Sequence, residues 1–589
     1  MHKSKETIQR LIRASMGEVK SDLLVTGGRL INVYSGEVLD GMEMAVSQER
    51  VCYVGPSADH TRGDETQVIE ARGRWIAPGF IDAHTHIGHF CRPFELLQAY
   101  LPHGTTALMA SCDEHTVAFG LTGMKLFLDE VASHPLRVYT LISMAAPQDP
   151  LLCETESLSD EQVEEVLRDP RVLGLGEVVS WLRLVQGDPD LATRIDLTLN
   201  QGKIVHGHTA GARDRRLNAI AAASVSSCHE PINGEDALAR LRLGYWTMLR
   251  EGSFRQDLEA TLKPLLAAGV DTGRLILVTD GMAPDDVAAH GHMDHVIRRA
   301  VACGLSPVRA IQAATLHPAS YSGLEQDIGG LAPGRFADFV LLDDLETVRV
   351  GATYIGGERV AKTGETNVAV VPPGFPDGMG LKTAFRLPVT AEDMRIRCEE
   401  PRARIRVMDL INQTITRERV VEVPCAGGVV SADVEADLLK VAVFDRREGF
   451  SPTFGFVRGL GTDIGAVGTT VNLDEYTLLV AGSSDYDMAY CANLLLEYGG
   501  GIAVVDRGRV LEEIPFPIGG LFSLEPWREV GERLASVQRI LREHGSAFPK
   551  PLYALCFLTF VTLPELRITG RGLVRAKERR IVPLLAEQG

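Results

Sequence analysis

The sequence predicts an α/β protein whose largest unit, residues 76–330, is a (β/α)8 barrel of the TIM type. Eight apolar segments with strand character alternate there with helical segments over about 250 residues, the outline of such a barrel. Short strands with glycine turns lie on both sides, at 22–75 and 331–367, and predict one small β domain built from both flanks. A stretch rich in proline and glycine, 368–388, predicts a linker to a C-terminal α+β domain at 389–589.

The N-terminal part begins with a charged amphipathic segment, residues 1–21, which we interpret as helical. Residues 29–34 (RLINVY) and 50–55 (RVCYVG) then alternate apolar and polar side chains. This alternation is typical of half-buried strands and indicates the first half of the small β domain.

The barrel prediction depends on eight strands separated by segments with helical spacing, such as 160–169 (DEQVEEVLRD). The predicted strands are 78–84, 104–111, 137–144, 172–179, 203–208, 224–230, 245–252 and 274–281.

Two segments of the C-terminal domain invite a specific interpretation. The glycines at 499–501 lack a following G-K-[S/T], so a helix C-terminal turn is favoured over a phosphate-binding loop. The apolar run 553–563 (YALCFLTFVTL) is too short to span a bilayer, and we predict a buried pair of strands.

Composition and charge limit the possible partners. With 45% hydrophobic and 23% charged residues, the chain is typical of a soluble globular enzyme. A net charge of −18 argues against a nucleic-acid polymer or an anionic membrane as partner. The N-terminus lacks the apolar region of a secretory signal, and the ten cysteines include no C-x-x-C. We therefore expect a cytoplasmic protein without structural disulfides.

Metal-binding residue types stand at the ends of five predicted strands. Barrel enzymes collect their active sites at this rim. A single strand histidine is more often a core residue, but residues two apart on a strand share a face, so a His-x-His pair can reach one ion. The candidates are His84, His86, Glu177, His208, His229 and Asp280.

Four imidazoles and two carboxylates suit zinc, manganese or iron better than calcium or magnesium. Six ligands exceed the needs of one tetrahedral ion, so Glu177 is a candidate bridge between two ions. Two such ions lower the pKa of bound water toward ~7 and so supply hydroxide, and Asp280 would accept the proton that this water releases.

Several motifs together resemble one known family. The segments 78–87 (PGFIDAHTHI) and 331–343 (LAPGRFADFVLLD) are similar to the amidohydrolase superfamily. Within it, the chain resembles the adenine deaminases, in the barrel and in the C-terminal domain. The segments that carry this closer resemblance are 173–179, 204–211, 228–253, 277–301, 485–505 and 515–523.

The resemblance implies hydrolytic deamination of adenine to hypoxanthine and ammonia, by attack of a metal-bound hydroxide on C6 of the purine. It implies two divalent ions, manganese or iron with zinc as an alternative, and a small-molecule purine as the partner. The six candidate ligands match the family's ligand positions one by one. We also expect a homo-oligomer, a dimer.

The sequence departs from the family pattern around these ligands. Gly88 stands where the family carries a glutamate, and Gly281 where it carries a second aspartate. In 110–115 (ASCDEH), Asp113 lies near the position of a family glutamate and a family histidine is missing. In the C-terminal domain, 473–476 (LDEY) replaces a histidine-containing segment. These changes leave open the second proton donor and the substrate, so an N6-substituted adenine is an alternative.

Four rim residues are tentative substrate contacts, with solvated loop positions as the alternative: Asp113, Glu230, Arg250 and Met282. We interpret His292 and His295 of 291–296 (GHMDHV) as structural, because a complete ligand set already exists at the strand ends.

Two other functions compete. A cyclic amidase of the same superfamily would usually carry a carboxylated lysine on the fourth strand, where this chain has Glu177. An inactive purine-binding homologue would explain why family carboxylates and histidines around the ligands are missing. Such a protein would have little reason to keep six candidate metal ligands on one rim. Metal content and ammonia release distinguish these possibilities.

Overall fold

The structure is a computed structural model that describes residues 3–143, 148–153, 155–368, 371–381, 388–444 and 452–587. Each of the eight predicted barrel strands has a counterpart; residue 144, the end of the third prediction, lies outside the described residues. The strands are β1 (Phe80–His86), β2 (Thr105–Ser111), β3 (Arg137–Ile142), β4 (Val172–Val178), β5 (Ile204–Gly207), β6 (Ser227–Cys228), β7 (Trp246–Arg250) and β8 (Leu275–Val278).

These strands form two parallel sheets, one of β1 to β5 and one of β6 to β8. Main-chain hydrogen bonds connect their edges: the N–H of Ser226 donates to the carbonyl of Val205 at 3.2 Å, and that of Asp280 to the carbonyl of His84 at 3.0 Å. The two curved sheets therefore fit a TIM-like barrel, whose strands all end at the same rim.

Helices surround these two sheets, and the helix after β3 shows how local sequence can set the start of one of them. Ser159 and Gln162 form a reciprocal capping box at its start, while Val163, Val166 and Leu167 are buried at helical spacing. The helices are Pro93–Tyr100, Asp113–Ala132, Asp160–Leu167, Trp181–Val185, Pro189–Asn200, Asp214–Ala222, Gly234–Arg242, Leu258–Ala267, Pro284–His290, Met293–Ala302, Pro307–Ala313 and Leu316–Tyr321.

A nine-stranded sheet contains both flanks of the barrel segment. Phe339–Asp344 pairs antiparallel with Trp75–Pro78 and so joins the two halves. The helix Lys5–Ser15, capped by Ser4, precedes the sheet. The other strands are Leu23–Asn32, Glu37–Ser47, Arg50–Gly55, Gln67–Glu70, Arg349–Ile355, Glu358–Lys362 and Glu365–Thr366.

The segment predicted as a linker, 368–388, is described only at 368, 371–381 and 388, where it has no helix or strand. The rest of that prediction lies outside the described residues.

The C-terminal part is built around an eight-stranded sheet and three helices, Asp485–Glu497, Trp527–Glu543 and Pro551–Cys556. The sheet strands are Arg402–Leu410, Thr416–Pro424, Leu438–Phe444, Thr453–Arg458, Ala466–Thr469, Leu478–Gly482, Gly501–Asp506 and Arg509–Pro515. Shorter strands are Ile396–Arg397, Val429–Val430, Phe522–Ser523, Leu566–Thr569, Gly572–Arg575 and Arg580–Val582.

Two sequence predictions can be judged in this domain. The turn prediction is confirmed for Gly499 and Gly500, which follow the helix Asp485–Glu497 with φ of 75° and 124°, whereas Gly501 begins the strand Gly501–Asp506. The strand pair predicted at 553–563 is wrong: Pro551–Cys556 is a helix, followed by turns. A short apolar run does not distinguish a strand from a buried helix, and Pro551 at the first helical position favours the helix.

The C-terminal domain packs directly on the barrel rim. The short strand Phe90–Cys91, just after β1, pairs in parallel with Phe522–Ser523. In the part of the chain that the structure describes, no helix combines the length and apolar character needed to cross a bilayer.

Candidate metal centre

The six predicted ligands lie together at the barrel rim. They form two groups of three, in each of which the donor atoms lie within 4.8 Å of one another. One group is His84, His86 and Asp280, and the other is Glu177, His208 and His229. The six come from the ends of five parallel strands or the residues just after them, with His84 and His86 on the same strand, which explains how distant parts of the chain meet.

Glu177 lies between the two groups. Its Oε2 is 2.7 Å from Nδ1 of His208 and 3.0 Å from Nε2 of His229. Its Oε1 is 3.4 Å from Nε2 of His86, in the other group. The carboxylate of Glu177 therefore has one oxygen directed to each group.

Backbone geometry directs Asp280 into the centre. Its φ is +55°, in the left-handed region that aspartate tolerates better than most residues. The next residue, Gly281, has φ of +97°, where a side chain is strained. Glycine at position 281 suits this conformation.

Arg250 holds the carboxylate of Asp280. Its guanidinium donates from Nη1 to Asp280 Oδ2 at 2.8 Å, makes a close ion pair with Glu230, and donates from Nε to Asp257 at 3.0 Å. Burial raises the pKa of Asp280, but the charges of His229 and Arg250 and the hydrogen bond from His84 outweigh it and keep the pKa well below its ordinary value. Asp280 is therefore ionised.

The imidazole of His208 responds to the same carboxylates. Burial lowers its pKa, but Glu230 and Glu177 outweigh burial and raise the pKa of His208 to about 9. The carboxyl groups thus dominate the electrostatics of the centre, an environment that favours cations.

Sequence reasoning missed three residues around the ligands. Glu114 Oε1 accepts hydrogen bonds from Nδ1 of His86 at 2.9 Å and from Nδ1 of His89 at 3.3 Å. His206 forms a further group with His84 and His229, and its Nδ1 lies 2.9 Å from the hydroxyl of Tyr321. His206 lies on β5, two residues before His208. Because side chains two apart on a strand point to the same face, this spacing could have predicted that His206 lies near the ligands.

Glu114 also explains the glycine at 88. A Cβ at Gly88 would lie 2.8 Å from Glu114 Oε2 and 3.0 Å from His115 Nδ1, both too close. A glutamate side chain at position 88 would therefore clash with Glu114. In this chain the carboxylate beside His86 comes from Glu114, in the helix after β2.

A cavity of about 340 Å³ opens above the candidate ligands. Asp113, Glu230 and Arg250, three of the tentative substrate contacts, line it. Met282 is 4% exposed and packs in the hydrophobic core, and its carbonyl accepts a hydrogen bond from Tyr100 at 3.1 Å. Among the described residues, the structure thus places Met282 outside the cavity lining.

The C-terminal domain covers the mouth of the barrel. Aromatic, aliphatic and polar side chains of this domain complete the cavity wall. The contributors from this domain include Asn412, Thr414, Ile415, Leu473, Asp474, Tyr476, Phe557 and Phe560. The cavity is thus lined by two domains, with the candidate ligands on the barrel side and a mixture of polar and apolar groups above them.

The donor set fits a divalent metal site. Imidazole nitrogens and carboxylate oxygens approach one another in two adjoining groups, and this N/O mixture suits manganese, iron or zinc. A buried cluster of this kind is compatible with a divalent metal site.

Comparison with known proteins covers the whole chain. The amidohydrolase family model matches residues 75–360, and the model of the adenine deaminase C-terminal domain matches 413–580. The chain is 37% identical to the adenine deaminase of Cenarchaeum symbiosum, over 98% of this chain and 95% of that protein. It is 38% identical to the adenine deaminase of Moorella thermoacetica, over 98% of each chain. It is also 38% identical to that of Rubrobacter xylanophilus, over 99% of this chain and 98% of the relative.

Proposed function

The chain belongs to the adenine deaminase family, and on that premise we propose that it hydrolyses adenine to hypoxanthine and ammonia. The observation that carries the proposal is the convergence of two ligand groups on the floor of one enclosed cavity. The volume of about 340 Å³ is in the range of small-molecule sites.

His84, His86 and Asp280 would hold one divalent ion, and His208 and His229 the other, with Glu177 shared between them. We expect manganese or iron, with zinc as the alternative. When bound, such ions lower the pKa of water toward ~7, so that a nucleophile is available near neutral pH.

The chain's own residues position the reactants and move the proton. Asp280 accepts a proton from the attacking water at its carboxylate, which Arg250 keeps ionised and oriented through the 2.8 Å contact. The water oxygen becomes the C6 oxygen of hypoxanthine, and the amino nitrogen leaves as ammonia after gaining a proton. Asp113 and Glu230, in the cavity wall, are candidate contacts to the purine.

The decisive experiment combines metal analysis with an ammonia-release assay on adenine, adenosine, N6-methyladenine and a cyclic amide. We expect about two metal equivalents and fastest release from adenine. Asp280→Asn should abolish turnover in a protein that still folds. Metal-loaded protein that releases no ammonia from adenine would refute the proposal.

A cytoplasmic location and a homodimer remain predictions from the sequence. Light scattering of the purified protein tests the second of these directly.

A further inference from the structure

A turn of the C-terminal domain, residues 473–476, forms part of the cavity wall. Asp474 has φ of +76° and Tyr476 has φ of +46°, a conformation that few non-glycine residues adopt. Hydrogen bonds hold the turn in place: Leu473 N–H donates to the carbonyl of Cys556 at 2.9 Å, and the Thr559 hydroxyl donates to the carbonyl of Leu473 at 2.6 Å. Strained backbone held by its surroundings is common where a ligand binds.

The carboxyl group of Asp474 is buried in that wall. The residue is 7% exposed, and its Oδ2 accepts the main-chain N–H of Val561 at 3.0 Å. Burial, with the nearby charges of Glu475 and Asp113, raises the pKa of Asp474 well above its ordinary value. A neutral carboxyl group offers one O–H donor beside a carbonyl oxygen, whose two lone pairs can accept two hydrogen bonds.

Asp113 lines the same cavity from the barrel side. Its Oδ1 is buried and has no hydrogen-bond partner among the residues that the structure describes. A buried polar atom without a partner, on a cavity wall, points to a polar ligand. The region of the cavity around the turn is therefore built for a molecule with hydrogen-bonding groups.

The chemistry of adenine limits which part of the base can face this turn. Two of its edges, N1 with the amino group and N7 with the amino group, include the group that leaves. Because that group must lie at the candidate metal centre, both edges are directed there. The remaining edge presents the acceptor N3 beside N9–H, which complements the O–H and carbonyl of one carboxylic acid.

We propose that Asp474 is a specificity-determining residue that pairs with the N3/N9–H edge of the purine and so selects the free base over N9-substituted purines. The inference rests on the proposed function and extends it from the reaction to the choice of substrate. It gives the C-terminal domain a role in recognition.

The test compares adenine with 9-methyladenine, which lacks the N9 proton, and with 3-deazaadenine, which lacks the N3 acceptor. Asp474→Gly removes the carboxyl group and tolerates the positive φ. Asp474→Asn keeps a donor and an acceptor in nearly the same places. Asp437→Gly is the matched control, because Asp437 is also an aspartate of this domain with positive φ (+51°).

In the wild type we expect both analogues to have a KM about 10- to 100-fold above that of adenine, the usual effect of a lost buried hydrogen bond. Asp474→Gly should raise the KM for adenine by a similar factor with kcat changed much less, and should abolish the preference over 9-methyladenine. Asp474→Asn should retain most of that preference, and Asp437→Gly should leave both KM values unchanged.

The proposal is overturned if Asp474→Gly leaves the ratio between adenine and 9-methyladenine unchanged, or if the wild type accepts both analogues as well as adenine. If Asp474→Gly does not fold, the KM values of adenine, 9-methyladenine and 3-deazaadenine in the wild type and in Asp474→Asn test the proposal instead. Calorimetric binding of adenine and 9-methyladenine to metal-free protein separates this inference from the proposed function. If the protein binds adenine more tightly than 9-methyladenine but releases no ammonia, only the proposed reaction is refuted. If it releases ammonia from adenine but binds both ligands equally, only the role of Asp474 is refuted.

Discussion

Replacing Glu114 by glutamine tests whether the missed carboxylate supports the candidate metal centre. Glu114 is fully buried and accepts hydrogen bonds from Nδ1 of His86 at 2.9 Å and of His89 at 3.3 Å. Burial raises its pKa, but the charges of the two imidazoles and their hydrogen bonds outweigh burial and hold the pKa far below its ordinary value. The folded protein therefore keeps this carboxylate ionised.

The size of the effect follows from these two contacts. A hydrogen bond to a charged group contributes about 1.5–3 kcal/mol, and one between neutral groups about 0.5–1.5 kcal/mol. The amide of Glu114→Gln keeps an acceptor but loses the charge, so the 2.9 Å contact to His86 alone weakens by about 1.4 kcal/mol, which is tenfold. With the longer contact to His89 added, we expect metal affinity to fall about 10- to 100-fold, as is common for residues that orient metal ligands.

Competition with a chelator of known affinity measures this loss directly. Glu130→Gln is the matched control, since Glu130 is a buried glutamate of the same helix that instead accepts a hydrogen bond from Arg92 at 2.9 Å. Excess metal should restore turnover in Glu114→Gln. Unchanged metal affinity in Glu114→Gln, or an equal loss in Glu130→Gln, would refute the reasoning.

Three further predictions concern the same centre. Glu177→Gln should bind at least one metal ion fewer, because a neutral amide bridges poorly; two equivalents by elemental analysis would contradict the bridge. Arg250→Met leaves Glu230 and Asp280 without their buried counter-ion and should lower the free energy of unfolding in urea by about 3–5 kcal/mol; a loss below 1 kcal/mol would contradict this pairing. Burial raises the pKa of Asp113 to about 7, so this group costs the folded state stability as pH rises from about 4, the ordinary carboxyl pKa, to about 7, and the loss levels off above that value. The stability of metal-free Asp113→Asn relative to the wild type should therefore increase between about pH 4 and pH 7, and equal pH profiles would contradict it.

The barrel and its rim were accessible to sequence reasoning because both depend on local patterns. Apolar segments of strand length alternate with helical spacing, and parallel strands in a barrel place their C-terminal ends at one rim. The positions of His208 and His229 could therefore be predicted without knowledge of packing. Short strands such as Ser227–Cys228 carry weaker patterns, and their bounds were predicted too long.

Contacts that depend on how separate elements dock were not accessible in this way. Glu114 and Asp113 are neighbours at the start of the same helix. Which of the two carboxylates contacts His86 depends on how that helix is oriented against β1, and the sequence does not show this. Asp474 reaches the cavity because a second domain covers the barrel, and no local pattern encodes that docking. The run 553–563 was assigned wrongly for a related reason, since burial by a neighbouring domain makes a helix as apolar as a strand.

The division of the cavity between two domains has a consequence for how such enzymes diversify. The side chains proposed for bond breaking belong to the barrel, whereas much of the surface above them belongs to loops such as 412–415 and 473–476. Insertions or substitutions in those loops can reshape the pocket while the hydrolytic apparatus is inherited intact. New substrates in this lineage are therefore expected to arise first through changes in the covering domain.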